Sequence, residues 1–183
     1  MIVDLSDRWK KIVSTGKMRN KINQNRGSTN FKVSLQVDDE EAHIWGVAGE
    51  IAIKLLLSLP LSSVWKVQTS GKWPSTDGTY NNKEYQVKTR VRKDADMLYN
   101  PDFMNLKADI YFLVSVPNKK RSQVEVVGWI TKKELEKEKR MKNLGHGPVY
   151  LIKRKHFHPI TSLIFDRILE DIKNEKTCNS ASH

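Results

Sequence analysis

A chain of 183 residues with a single cysteine and a formal net charge of +11 is long enough to bury one core, and too poor in cysteine for a disulfide framework or a cysteine-ligated zinc site. The excess of Lys and Arg points to an anionic partner, with nucleic acid ahead of an acidic membrane surface. The most apolar run, "IAIKLLLSLPL" (51–61), is too short to span a bilayer and contains Lys54, and "MIVDLSDRWKK" lacks a signal-peptide core. A soluble protein of the reducing, cytoplasmic interior is the expectation.

Residues 1–36 carry eight Lys/Arg against Asp4 and Asp7 and read as a basic N-terminal arm. A short helix runs through Trp9, Ile12 and Val13, capped by Ser6 or Asp7, and "NKINQNRGSTN" reads as a loop. A solvated terminus accounts for the same charges. A single α/β domain is expected over 37–174. It opens with "DDEEAHIWGVAGEIAIKLLLSL" (38–59), the strongest helical pattern. Acids fill its first turn, Ile44, Val47, Ala48, Ile51 and Leu55 share a face, and Pro60 stops it.

Strands are predicted over 63–69, 75–80 and 84–91, then a fully buried central strand over 109–116 and another over 124–130. "TKKELEKEKRMKN" (131–143) reads as a charged helix. Thr131 and Glu134 form its capping box, and Glu136–Arg140 and Glu138–Lys142 pair along its face. Residues 148–154 read as a strand, 161–174 as a closing helix and 175–183 as a polar tail. The order predicts an α/β fold with a mixed central β-sheet flanked by helices.

The stretch that carries chemistry is "STDGTYNNKEYQVKTRVRK" (75–93). Asn81-Asn82 suits a two-residue type I′ turn, because Asn tolerates positive φ at both central positions. That turn pairs Tyr80 with Lys83, Gly78 with Tyr85 and Asp77 with Gln86. Alternation then puts Asp77, Gln86 and Lys88 on one face, with paired Cβ atoms about 5 Å apart. Asp77, the Gln86 amide oxygen and the backbone carbonyl of Val87 are hard donors suited to Mg²⁺, with Mn²⁺ able to substitute. Lys88 beside such an ion would position or deprotonate a water and balance charge on a phosphorane-like transition state. The helix brings Glu50 onto one line with His43 and Lys54, and Gly46 and Gly49 beside it suggest a close approach on that side. Arg90, Arg92 and Lys93 continue a basic run suited to backbone phosphates. All of these residues are also ordinary on a solvated hairpin and a polar helix flank, with Lys54 pairing to Glu50. His156 and His158 lack a third ligand for zinc.

"GVAGEIA" on a first helix, a following Asp, and "QVKTR" after a hairpin resemble the PD-(D/E)xK nuclease superfamily over roughly residues 42–141. The resemblance implies a restriction-endonuclease-like αβββαβ core. It makes Glu50 the helix acid, Asp77 the central metal ligand, Gln86 the second ligand and Lys88 the catalytic lysine. Gln86 stands where a glutamate is commonest; Mrr-like restriction enzymes and certain homing endonucleases use glutamine there, and the amide leaves the site one negative charge poorer. The "PD" pair is absent, since Asp77 follows Thr76.

The function implied is a Mg²⁺-dependent endodeoxyribonuclease of restriction-like, homing or junction-resolving type. A homodimer or higher homo-oligomer suits cleavage of two strands. No nucleotide cofactor is expected, because no phosphate-cradling glycine motif occurs. The alternatives are a non-catalytic nucleic-acid-binding protein on the same fold and an interaction protein whose basic face takes an acidic partner.

Overall fold

Eight strands form two sheets among the residues that the computed structural model describes, which are 1–26, 38–67, 76–99, 107–119, 122–143 and 147–165. In chain order the elements are β1 (Ile2–Asp4), α1 (Trp9–Asn25), α2 (Asp39–Leu56), a short α3 (Ser62–Trp65), β2 (Gly78–Tyr80), β3 (Lys83–Arg90), β4 (Met97–Tyr99), β5 (Ile110–Ser115), β6 (Gln123–Thr131), α4 (Lys132–Glu138), β7 (Arg140–Asn143) and β8 (Pro148–Ile152). Another helix begins at Ile160. The larger sheet runs β1-β6-β5-β3-β2 and is mixed: β3 and β5 are parallel and the other neighbours antiparallel. The smaller sheet, β4-β8-β7, is antiparallel.

Local chemistry sets the elements that frame the cleft. Asp38 caps α2 by accepting the Glu41 N–H at 2.6 Å, and three acids follow at the positive end of the helix dipole. Asn81 and Asn82 take φ of 48° and 58°, as a type I′ turn requires, and close the β2–β3 hairpin. β5 is buried along its whole length and β6 alternates strictly, so β5 lies between two cores while one face of β6 is partly open. On one side of the sheet α1 and α2 cover Tyr85, Phe112, Val114 and Val126. On the other, Tyr111, Leu113 and Ile130 pack with Leu135 of α4 and with Met97 and Ile152 of the small sheet.

Two helix contacts need glycine. A Cβ at Gly16 would sit 2.6 Å from Ile44 Cα, and one at Gly49 would sit 2.0 Å from the Thr89 hydroxyl oxygen. Backbone therefore meets its neighbour directly between α1 and α2 and between α2 and β3. Gly46 faces open space, so only Gly49 marks the close approach expected on α2.

Several elements depart from the sequence expectation. Residues 9–25 form one continuous helix instead of a short helix and a loop, and Leu5 and Ile12 are fully buried. The first 25 residues thus contribute a strand and a helix to the main core. The predicted strand at 63–69 begins as the helical turn α3. The charged helix at 131–143 keeps its Thr131–Glu134 capping box but ends at Glu138, where Lys139 turns extended and β7 starts. Its predicted i+4 pairs give way to Glu136–Lys139 and Glu138–His156. Strands β1, β4 and β7 were not anticipated. Trp73, the closing helix beyond residue 165 and the tail with Cys178 lie outside the described residues. Among those described, no helix is long and apolar enough to cross a membrane.

Candidate active site

The hairpin delivers Asp77 to the edge of the large sheet in a way that alternation alone does not. Gly78 is the register partner of Tyr85, yet the Asp77 N–H also reaches the Tyr85 carbonyl, at 2.9 Å. Two residues of one strand thus address a single residue of the other, the two-against-one arrangement of a β-bulge, which re-aims a side chain. Asp77 therefore does not sit opposite Gln86 as the sequence register implied. Its Oδ2 instead accepts the Val87 N–H at 2.6 Å.

Glu84 and Arg90 direct their carbonyls toward the β5 side of β3, while Tyr85 and Val87 bond toward the β2 side. A strand residue projects its N–H and C=O to the same side. The Val87 carbonyl, the expected backbone ligand, thus shares the open edge with the Asp77 carboxylate.

Side chains of β3 divide between the two faces. Val87 and Thr89 lie beneath Gly49 of α2, so Gln86, Lys88 and Arg90 point to the opposite face, beside Tyr111, Leu113 and Ser115. Gln86 and Lys88 share a face, as expected. Both are half-buried, and neither lines the cleft described next. The charge on Lys88 reaches Asp77, and burial lowers the Lys88 pKa against that attraction. Arg90 is half-buried with an unpartnered Nε, and burial lowers its pKa. Arg92 and Lys93 are exposed just past the end of β3.

On the helical side a cleft of about 600 Å³ is lined by Arg19, Asn23, His43, Glu50, Lys66 and Asp77, among others. Glu50 enters from α2 and is gripped by Arg19 of α1, with Nη1 to Oε1 at 2.6 Å and Nη2 to Oε2 at 3.0 Å. Lys54, expected to pair with Glu50, lies 5.6 Å from the centre of the Tyr85 ring and is 5% exposed. Burial lowers its pKa, while Glu50 and Asp77 oppose the shift. Asn23 Nδ2 lies 3.0 Å from His43 Nε2, and burial, then the Arg19 charge, lowers the His43 pKa toward the neutral ring.

Asp77 is the electrostatic centre of the group. Burial first and the Glu50 charge second raise its pKa to about 7, against the Val87 N–H, Lys88 and Arg19, which lower it. Glu50 and Asp77 thus line one cleft, while Lys88, with Gln86 beside it, lies on the opposite face of β3 and acts on Asp77 through its charge. The structure adds Arg19, Asn23 and Lys54. Arg19 was concealed in the basic N-terminal run, and its only sequence signal is Gly16 three residues earlier, a small residue where two helices meet.

Among the described residues no three His, Cys, Asp or Glu side chains gather. The oxygen donors near Asp77 are its own carboxylate, Glu50 and the Val87 carbonyl. A half-buried carboxyl pushed up to about 7 beside a second acid marks a place short of positive charge. That donor set fits one hard divalent cation of the Mg²⁺ class. No family model matches the chain, and no curated protein and no solved structure matches it at a significant level. The reading of the cleft rests on its own residues.

Proposed function

We propose that the chain is a divalent-metal-dependent nuclease that hydrolyses phosphodiester bonds in DNA as an endonuclease, on a restriction-endonuclease-like core. One observation carries this reading: a half-buried acid, Asp77, sits at the open edge of the sheet, tied to the Val87 amide, with the charges of Glu50 and Lys88 acting on it. The residues that would hold Mg²⁺ (or Mn²⁺) are Asp77, the Val87 carbonyl and Gln86, with Glu50 reaching through water. When bound, such an ion supplies Lewis-acid stabilisation of charge on the phosphoryl oxygens. Lys88, whose charge acts on Asp77, is the group that would orient the attacking water and take or balance its proton. Its lowered pKa, caused by burial, suits that exchange better than a solvated ammonium would. Arg90, Arg92 and Lys93 extend the cationic surface beyond the strand, where backbone phosphates position a duplex without reading its sequence.

The test is digestion of linear, supercoiled, single-stranded and branched DNA by the purified protein with Mg²⁺, with Mn²⁺ and with EDTA, alongside Asp77→Ala. Metal-dependent cleavage lost in Asp77→Ala is expected. Full activity in that variant would end the reading.

One observation favours a second reading, a non-catalytic nucleic-acid-binding protein: Arg19 already occupies both carboxylate oxygens of Glu50. That reading predicts DNA binding with a steep salt dependence in EDTA and no cleavage of any substrate.

A further inference from the structure

The Arg19–Glu50 contact is a feature of the cleft to which the nuclease reading gives no work. Nη1 and Nη2 of Arg19 meet the two oxygens of Glu50 at 2.6 and 3.0 Å, and Nη2 also reaches the Val64 carbonyl at 3.1 Å. Both side chains are only 15% exposed. While this fork stands, each oxygen of the helix acid already accepts one guanidinium N–H, and the Arg19 charge competes with any cation for it. A guanidinium matches two oxygens of a phosphodiester as well as those of a carboxylate. Both residues line the cleft that ends at Asp77, so an incoming backbone phosphate meets Arg19 within reach of the acid. The Arg19 Nε is buried without a hydrogen-bond partner, a donor that the present fork leaves unused. Main-chain contact between Gly16 and Ile44 fixes α1 against α2, so the exchange belongs to the arginine side chain and requires no helix movement.

We propose that Arg19 is the phosphate-binding residue of the cleft and works by exchange. In the free protein it holds Glu50; on nucleic-acid binding it grips a backbone phosphate and releases Glu50 toward the cation at Asp77. The inference rests on the nuclease reading. A released Glu50 is a buried charge without a partner unless a cation arrives, and a cation finds Glu50 engaged unless a phosphate arrives. Metal and nucleic acid therefore bind with positive coupling, and each tightens the other by the same factor.

The experiment follows the electron paramagnetic resonance signal of Mn²⁺ with wild type, Arg19→Met and Arg19→Lys, each alone and with a phosphorothioate DNA duplex that resists hydrolysis. Wild type is expected to bind Mn²⁺ roughly tenfold tighter with the duplex than without it. Arg19→Met should bind Mn²⁺ alone more tightly than wild type alone does, with less than about a twofold change on adding duplex. Its duplex affinity in EDTA should fall, and the salt slope should become shallower by about one phosphate contact. Arg19→Lys keeps the charge but not the fork; it should lie between the two, and it guards against a methionine variant that fails to fold. Wild-type Mn²⁺ affinity indifferent to duplex, or coupling undiminished in both variants, would overturn the exchange. Cleavage of an unmodified duplex by that same wild type would still leave the nuclease reading standing. No Mn²⁺ binding by any of the proteins would overturn both.

Discussion

Asp77 accepts the Val87 N–H at 2.6 Å, which holds an acid in the plane of the sheet, where a ladder partner would otherwise sit. Its pKa of about 7, raised first by burial and then by Glu50, stands well above the value of about 3.9 expected in the unfolded chain. Protonation therefore favours the folded state. That contribution is fully present below about pH 4 and is lost as the pH rises through about 7. In EDTA, wild type should lose stability over this window relative to Asp77→Asn, by on the order of 4 kcal/mol at pH 8. Thermal melts across pH check it, and parallel curves would contradict it. Adding Mg²⁺ at pH 8 should raise the wild-type Tm and leave that of Asp77→Asn unmoved.

Gln86 and Lys88 share the face opposite α2, and the Lys88 charge reaches Asp77. Gln86→Glu keeps the ligand oxygen and adds charge, so Mg²⁺ affinity should hold or rise and cleavage should persist. Gln86→Leu removes the donor and should abolish most cleavage while the fold survives. Lys88→Ala should slow cleavage by ~10²-fold or more with duplex binding retained. A merely solvated face predicts that all three stay within about 0.5 kcal/mol in stability and leave cleavage alone. Calorimetric Mg²⁺ titration and single-turnover cleavage separate these outcomes.

What the sequence revealed follows the range of each cause. Asn81-Asn82 and the Thr131–Glu134 box act within four residues, and each took the geometry its chemistry implies. Residues 110–114 are apolar without interruption and needed no tertiary information to be read as buried. Met97–Tyr99 and Arg140–Asn143 were missed because they are strands by virtue of β8 lying between them. The offset at Asp77 arises because the Tyr85 carbonyl takes the Asp77 N–H, a main-chain bond that no side-chain alternation encodes. Arg19 becomes a site residue only once α1 touches α2, and in the sequence it is one cation among several, with the exposed Lys17 and Lys21 two residues to either side.

That helix contact makes its own prediction. A Cβ on Gly16 would lie 2.6 Å from Ile44 Cα, which no rotamer change can clear. Gly16→Ala should destabilise by ~1–3 kcal/mol, although alanine favours an exposed helix by about 1 kcal/mol over glycine. Arg19 lies about one turn further along α1, so the strain should also loosen the fork on Glu50. Urea unfolding checks the first effect. Mn²⁺ affinity without DNA, which should rise as in Arg19→Met, checks the second.

Deleting residues 1–26 distinguishes a binding arm from a structural element. An arm would cost DNA affinity and nothing else. Here the Met1 ammonium donates to the Val126 carbonyl at 2.9 Å, Ile2–Asp4 pair with β6, and the Trp9 ring lies 4.9 Å from that of Trp45. Leu5 and Ile12 are 0% exposed, and losing each such side chain costs ~2–5 kcal/mol, against a total stability of about 5–15 kcal/mol for a domain. The truncated chain should therefore lack a cooperative unfolding transition. Lys10 and Lys21 are exposed on α1, and replacing both with Gln should preserve the melt. If they meet DNA phosphates, their loss should flatten the salt dependence of binding by about 0.9 per contact. Circular dichroism melts and salt-titrated DNA binding on both proteins decide the matter. A truncated chain that unfolds cooperatively and has lost only affinity would return the segment to the role of an arm, and would leave the Arg19–Glu50 fork dispensable to the fold.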